Sequence, residues 1–374
     1  MRIGLVCHPG YGGSGRTACR LAEELADRGH EVHLVARERP PWWPVNRSDL
    51  RFYPTDPIAY PLFAGDLDVL AMASRLAELI NAADLELLHV HYAVPHALSA
   101  GLARSMAKLE RLVPILVTLH GTDVTVLGRQ PAVTSVLRFA LANCQALTAV
   151  SDDLARQAER TFGLKDLNVI PGFVDVEACR RRFVPPERRR QFAPDAEPLL
   201  LHLSNFRPVK RSVDSVEVLA RVAARRPCRL LLVGCGPDLG DCLERARRLG
   251  VDDRVQVIGF CEDVVELLSL ADVLLVPSAQ EAFGLAALEA MSCCLPVVAS
   301  RVGGLPELMG EGASGLLCRP GDVEAMAAAT LSLVENPLLA HRLGARGRAR
   351  AETLFAAPLI VERYLDQYRR LLDQ

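Results

Sequence analysis

The sequence predicts an α/β protein built from two doubly wound domains, and three observations predict it. Apolar runs rich in Val, Leu and Ile alternate with helical patterns, as "RIGLVC", "EVHLVA", "LELLHVHY", "PILVTLHG" and "ALTAVS" in the first half. Continuous apolar runs of this kind mark parallel strands covered on both faces. The rhythm then breaks over 171–198, where "PGFVDVEACRRRFVPPERRRQFAPDAEP" carries prolines and two Arg clusters without sustained periodicity, as an interdomain connection does. It restarts with "PLLLHLSN", "CRLLLVGCG", "RVQVIGF", "DVLLVPS" and "LPVVAS". The expected domains are 1–170 and 171–356. At 374 residues, 50% of them hydrophobic, the chain can fill two such cores.

The first element is a strand from Ile3 to Cys7, followed by a loop in which Gly10, Gly12 and Gly15 spell G-x-G-x-x-G. A helical pattern and a second strand, Glu31 to Val35, follow, with an acidic residue at Glu38. This is the complete dinucleotide-binding fingerprint, so a nicotinamide-dependent dehydrogenase is one reading of the chain. The physical content of the loop is narrower: a tight turn, and a backbone that a phosphate can approach closely. In doubly wound sheets ligands bind beyond the carboxyl ends of the strands, so the loops after strands are where chemistry is expected. At the far end, "FAAPLIVERYLDQYRRLLDQ" is an amphipathic helix offering Leu359, Ile360, Tyr364, Tyr368 and Leu371 for one face.

Charge and cysteine usage exclude several classes. Forty-three Lys and Arg against 45 Asp and Glu leave a formal charge of -2, so no global field favours nucleic acid. No apolar run reaches bilayer-spanning length and no signal-like h-region opens the chain, which predicts a cytoplasmic protein without stable membrane association. The 11 cysteines form no paired C-x-x-C units with nearby histidines, as reduced core residues would be placed. Cys293-Cys294 is an adjacent pair that reads either as packing at a helix end or as a redox-sensitive site.

Two loops of the second half carry the chemistry. "SNFRPVKR" places Arg207, Lys210 and Arg211 between a strand and a helix beginning near Ser212, a combination of cations and backbone N–H groups suited to phosphate. "QEAFGLAALEAMSCCLPVVAS" places Glu281 and Glu289 eight residues apart, with Phe283, Gly284, Leu285 and Ala286 at the expected helix start. Free N–H groups there can hold phosphate or sugar oxygens. Glu289 lies among Leu288, Ala290 and Met291, and a carboxylate among apolar neighbours has a partner.

E-x7-E, the proline of "LPVVAS" and "VGGLPEL" together resemble glycosyltransferase family 4, retaining enzymes of the GT-B architecture, with two facing Rossmann-like domains and a cleft between them. The resemblance spans nearly the whole chain. "GYGGSG", "HVHYAVPHALSA", "TLHGTDVTVLG", "TAVSDDL" and "SNFRPVKR" are most similar to the branch of that family that transfers N-acetylglucosamine from UDP-GlcNAc to L-malate, opening bacillithiol synthesis. The resemblance implies an acceptor-binding first domain to which the helix 357–374 returns, and a second domain that binds the UDP-sugar. It gives the ribose to Glu289, the sugar hydroxyls to Glu281, the diphosphate to Arg207 and Lys210 with the N–H groups of Leu285 and Ala286, and the uracil to the loop near Phe260. Gly12 and Gly13 would approach the phosphate, and His120, after the fourth apolar run, the transferred sugar. Tyr92, Ser14, Thr118 and Asn205 are the candidates for malate. The position of Asn205 is an arginine across the wider family, and Arg207 two residues later follows the malate branch. Gly172, where that branch has asparagine, and Cys294, where glycine is usual, depart from the pattern. The resemblance also implies no metal or cofactor, and a dimer or larger assembly.

Other constellations are open to two readings. His89 and His91 share a strand face as paired metal ligands do, but no further ligand set follows them. Asp66-Leu67-Asp68 is a D-x-D string, of the kind that holds a metal-bound sugar nucleotide in another architecture, yet it precedes a helical pattern and reads as a helix cap. The clusters at 180–182 and 188–190 read as a solvated linker rather than a membrane contact, because no apolar stripe accompanies them. Besides a dehydrogenase, the alternatives are an epimerase using the same sugar nucleotide, a non-catalytic nucleotide-sugar sensor, and a family 4 enzyme acting on inositol phosphate or a lipid.

Overall fold

The structure, a computed structural model, describes residues 1–10, 12–44, 47–56, 67–107, 111–165 and 167–373. The chain divides into two units, Met1–Gly172 with Pro358–Gln374, and Phe173–Ala357. The first holds β1 (Arg2–Val6), β2 (Glu31–Ala36), β3 (Leu50–Pro54), β4 (Leu87–His91), β5 (Ile115–Leu119), β6 (Ala146–Ala149) and β7 (Asn168–Val169). They form one sheet in the order β3-β2-β1-β4-β5-β6-β7, all pairs parallel. The second holds β8 (Leu199–Leu203), β9 (Arg229–Val233), β10 (Val255–Ile258), β11 (Val273–Val276), β12 (Val297–Ser300) and β13 (Leu316–Cys318), in the order β10-β9-β8-β11-β12-β13. Each sheet reverses its strand order beside its first strand, between β1 and β4 and between β8 and β11. Those are the topological switch points at which open α/β sheets bind ligands.

Sequence and structure agree on the interior strands for a physical reason. β1, β4 and β5 have helices on both faces and bury essentially every side chain, so they read as unbroken apolar runs. The strands that the pattern misses, β3, β7 and β13, all lie at sheet edges and are only partly buried. After β1, the helix Gly13–Asp27 buries Ala18, Cys19, Leu21, Ala22, Leu25 and Ala26 on one face. Glu38 lies beyond the end of β2, exposed.

Several expectations need correction. The segment 171–198 is not a free linker: from Phe173 onward it belongs to the second unit, where Val174 bridges Ala356 and a short helix, Pro186–Arg190, forms. Its cations are not simply solvated, since Arg182 pairs with Asp263 at 2.7 Å, Arg188 with Glu266 at 2.8 Å and Arg189 with Asp272 at 2.7 Å. Gly172, buried, closes the first unit. Asp68 sits in the first turn of the helix Asp68–Ala82 and pairs with Arg37 at 3.0 Å, but it does not cap it: the cap position is Leu67. Asp66 lies outside the described residues.

The C-terminal helix, Ala357–Leu372, belongs to the first unit from Pro358 on. Its buried face is Ile360, Val361, Tyr364, Leu365, Tyr368 and Leu371, whereas Leu359 is 49% exposed and points away. Among the described residues, no helix is long and apolar enough to cross a membrane.

Cys294 has a left-handed backbone, φ +56°. The N–H of Leu295 donates to the Ala290 carbonyl at 2.9 Å and that of Cys294 to Met291 at 3.0 Å, which is a Schellman ending for the helix Leu285–Ser292. Glycine is the ordinary residue for that conformation, which explains the family's usual choice. Its neighbour Cys293 is fully buried, with its sulfur 3.8 Å from that of Cys179, both as free thiols.

Candidate active site

In the first unit the candidate residues gather at the switch point between β1 and β4. The loop after β1 runs into the helix Gly13–Asp27 with Gly12 at its cap, in an extended conformation; a Cβ on Gly12 would meet nothing within 4 Å. Gly15 is different, because a Cβ there would lie 2.7 Å from the His8 carbonyl oxygen. The third glycine of the fingerprint is therefore demanded by packing, while Gly12 leaves open ground above the helix start, beside Gly13.

Ser14, the second residue of that helix, donates from its hydroxyl to the Tyr92 hydroxyl at 3.0 Å. Tyr92 follows β4 directly and holds a strained φ of +81°, with its N–H donating to the Thr118 carbonyl at 3.0 Å. A non-glycine residue held there costs on the order of 1–3 kcal/mol, a cost that clusters at functional loops. The Tyr92 ring lies 5.3 Å from the ring of His120, which follows β5 and is partly exposed. Ser14, Tyr92 and His120 thus stand together at the ends of three neighbouring strands.

Thr118 does not join them. Fully buried in β5, its hydroxyl bonds His89 Nε2 at 2.7 Å and the Thr148 hydroxyl at 2.8 Å. The other nitrogen of His89, Nδ1, bonds the Tyr368 hydroxyl of the C-terminal helix at 2.7 Å. His89 and Thr118 are core polar groups satisfied by each other and by that helix. Beside them His91 bonds His120, Nδ1 to Nε2, at 2.8 Å, and the Nδ1–H of His96 donates to the His91 carbonyl. Burial pushes His89 and His120 down to about 3, His96 down to about 4 and His91 well below its ordinary value, so the cluster is neutral near pH 7. Among the described residues, no three His, Cys, Asp or Glu stand as metal ligands would.

Asp123 is a residue that the sequence reading passed over. Fully buried, it accepts from the Gly121 N–H at 2.9 Å and the Ala93 N–H at 3.3 Å, tying the loop after β5 to the loop after β4. Burial raises its carboxyl to about 6, against the opposing pull of those backbone donors. Its only signal was a carboxylate inside the quoted "HGTD".

In the second unit the candidates gather at the switch point between β8 and β11. "SNFRPVKR" forms the loop after β8, a single 3-10 turn over Pro208–Lys210 and then the helix Ser212–Ala223. His202, unremarked in the sequence, anchors it: Nδ1–H donates to the Leu275 carbonyl at 3.1 Å, and Nε2 meets the hydroxyls of Ser204 at 2.8 Å and Ser212 at 3.0 Å. Lys210 Nζ reaches Glu281 Oε2 at 2.7 Å, an oxygen that also accepts from the Ser278 hydroxyl at 3.2 Å. Arg211 is neutralised by Asp214 at 2.7 Å, whereas Arg207 is exposed and has no acidic partner among the described residues. Asn205 Oδ1 is buried without a partner among the described residues.

E-x7-E is split by structure. The helix begins at Leu285, with Gly284 at φ +104° before it, so Glu281 lies in the loop after β11 and Glu289 in the helix, 4% exposed. The loop is held by Gly303 of "VGGLPEL": a Cβ there would fall 1.8 Å from the Glu281 carbonyl oxygen, which accepts the Gly304 N–H at 3.0 Å. The first-turn N–H groups of Leu285 and Ala286 have no intrahelical partner and mark the positive end of the helix. Phe283 contributes only backbone there, because its ring is buried edge-on against Phe355 with centroids 5.6 Å apart. Phe260 follows β10 and is 39% exposed.

Comparison with known proteins agrees along the whole chain. Residues 11–178 match the family model "Glycosyltransferase Family 4", and residues 184–350 match "Glycosyl transferases group 1". The chain is 36% identical to N-acetyl-alpha-D-glucosaminyl L-malate synthase of Bacillus anthracis, over 100% of this chain and 97% of that protein. It is 29% identical to D-inositol 3-phosphate glycosyltransferase of Nocardiopsis dassonvillei, over 96% of this chain and 91% of the relative. Sucrose-phosphate synthase from Thermosynechococcus elongatus superposes with a TM-score of 0.81 at 25% identity, covering 100% of this chain and 99% of the other. Anabaena HepE, solved with UDP and glucose, shares the fold at a TM-score of 0.79 and 20% identity, over 98% of each chain. Two Rossmann-like units with whole-chain matches of this kind define the GT-B architecture, and the chain belongs to glycosyltransferase family 4.

Proposed function

We propose that this enzyme moves N-acetylglucosamine from UDP-GlcNAc to the hydroxyl of L-malate with retention of configuration, the first step of bacillithiol synthesis. What carries the reading is the full-length 36% identity to a protein named for that product. The site chemistry is compatible with it. Lys210 and Arg207, with the Leu285 and Ala286 N–H groups, would neutralise charge on the departing diphosphate. Glu289 would take the ribose diol, Glu281 the sugar hydroxyls, and Phe260 would lie against the uracil. Gly12 and Gly13 would leave room for phosphate, with His120 near the sugar.

Malate is a dianion with one hydroxyl, and Tyr92 and Ser14 supply adjacent hydroxyl groups for it; Asn205 would add an amide. The Thr118 hydroxyl, engaged inside the core, is dropped from that set. Attack would come from the face that the leaving group vacates, the diphosphate taking the acceptor's proton, so that neither a side-chain nucleophile nor a metal is required. The work of the protein is then orientation and charge stabilisation.

The test is incubation with UDP-GlcNAc and a panel of L-malate, D-malate, D-inositol 3-phosphate and a lipid acceptor, followed by mass spectrometry, with and without EDTA. N-acetylglucosaminyl malate alone, insensitive to EDTA, is the expected product. The inositol arm is included because of the 29% relative named for that acceptor. UDP release with every acceptor but malate would overturn the assignment.

A further inference from the structure

We propose that His91 fixes His120 as its Nδ1–H tautomer, so that His120 offers the transferred sugar a hydrogen-bond donor and never a base. The role toward sugar rests on the transferase reading above; the tautomer does not.

The two rings share one hydrogen across 2.8 Å, between His91 Nδ1 and His120 Nε2. Both imidazoles are kept neutral by burial, so each carries a single N–H. If His120 were the donor, the proton of His91 would sit on Nε2, and that atom is buried without any partner among the described residues. If His91 is the donor, Nε2 keeps only a bare lone pair. A buried N–H with no acceptor is the rarer and costlier defect of the two. The network therefore favours His91 as donor and His120 Nε2 as acceptor, an assignment made from hydrogen-bond bookkeeping.

His91 has little freedom to do otherwise. Its ring is stacked on His89 with centroids 4.4 Å apart, and its carbonyl takes the Nδ1–H of His96. His89 in turn is held by Thr118 and Tyr368. The proton of His120 is thereby left on Nδ1, which has no partner among the described residues, on a partly exposed ring beside Tyr92. A donor in that place suits a sugar hydroxyl or carbonyl oxygen. It also suits a transfer in which the departing diphosphate, not a histidine, accepts the proton. His91, which acts through His120, is a positioning residue.

A long-range 1H–15N correlation spectrum of the ligand-free protein, with labelled histidines and His120 assigned by its loss in His120→Gln, reads the tautomer directly. Nδ1–H at His120 is expected, and Nε2–H would overturn the proposal whether or not the protein transfers sugar. In His91→Phe, which keeps a ring on His89 but removes the donor, His120 should lose its single tautomer. There kcat/KM for the sugar nucleotide should fall about ten-fold. In a His120→Ala background the same substitution should change it less than about two-fold, since the two act as one unit. His91→Asn, whose amide nitrogen stands where Nδ1 stood, should recover to within about three-fold of wild type. A full His91→Phe loss in the His120→Ala background would show a merely structural role. If His91→Phe does not fold, the wild-type spectrum still decides; if no donor or acceptor supports transfer, the functional reading falls while the tautomer stands or falls on its own spectrum.

Discussion

Lys210 Nζ and Glu281 Oε2 lie 2.7 Å apart, a pair that ties the loop after β8 to the loop after β11 across the switch point of the second sheet. A second tie runs beside it, the Ala279 N–H donating to the Val209 carbonyl at 2.8 Å. The lysine is therefore placed before any substrate arrives. Removing one charge-stabilising donor of this type costs about 3–4 kcal/mol of barrier. Lys210→Ala should lower kcat by roughly 100- to 1000-fold, while the partly exposed pair contributes at most about 1 kcal/mol to stability. Steady-state rates and thermal unfolding on the same preparation check both, and a near-wild-type rate would remove the phosphate role.

The Ser14–Tyr92 contact separates an acceptor role from a structural one. Hydrogen bonds to charged groups contribute about 1.5–3 kcal/mol, so Tyr92→Phe and Ser14→Ala should each raise KM for L-malate by about ten-fold or more, with less than additive effect together. Thr118→Val should behave differently. It leaves His89 Nε2 and the Thr148 hydroxyl short of a partner, which costs about 1–3 kcal/mol of stability, with little change in malate KM. A malate-specific defect in Thr118→Val would contradict the position of that hydroxyl in the core.

Cys294 offers a stabilising substitution. A non-glycine residue in the left-handed region costs roughly 1–2 kcal/mol, and glycine returns about 0.4–1 kcal/mol of that to the unfolded chain. Cys294→Gly should thus raise stability by up to about 1 kcal/mol, or about 2–4 °C in Tm for a domain of this size. Gly344→Ala should do the reverse, because its Cβ would fall 2.1 Å from the Cys294 carbonyl oxygen; a loss of about 1–3 kcal/mol is expected. Calorimetry of both variants tests the Schellman geometry.

Acid should destabilise the protein earlier than carboxylate titration would. His89, His91, His96 and His202 have folded pKa values below the ordinary 6.5, burial being the cause. Between the folded and unfolded values the unfolded chain binds the extra proton, so stability is full above about pH 6.5 and falls as pH drops toward about 4 and 3. Each such histidine costs up to about 1.4 kcal/mol per pH unit across that window. Asp123, raised to about 6, works in the opposite sense, contributing stability as pH falls below that value, but it is one group against several. Urea midpoints should decline from pH 7 to pH 5. A flat profile over that range would mean that the histidines are protonated in the folded state.

What was legible in the sequence was whatever has a strong local cause. Interior strands such as β4 and β11 read clearly because both faces are covered, while β3, β7 and β13, half covered at the edges, carried too mixed a pattern. The loops of Lys210 and Glu281 were visible as cations and glutamates after strands. What the sequence could not give was direction. Nothing local tells that the Thr118 hydroxyl faces inward to His89, that the Phe283 ring turns to Phe355, or that Arg189 folds back on Asp272. Those depend on partners 29, 72 and 83 residues away.

The pairing of Tyr368 with His89 joins residues 279 apart in the chain. During synthesis β4, β5 and β6 emerge early, yet the tyrosines that cover His89 and Thr118 are translated only after the whole of the second unit. The first unit therefore emerges from the ribosome with polar groups of its core uncovered, and every strand of the second is translated before the first can be sealed. A chain halted once the whole second unit has emerged would display that unit's six strands while the first unit still lacks the helix that seals His89.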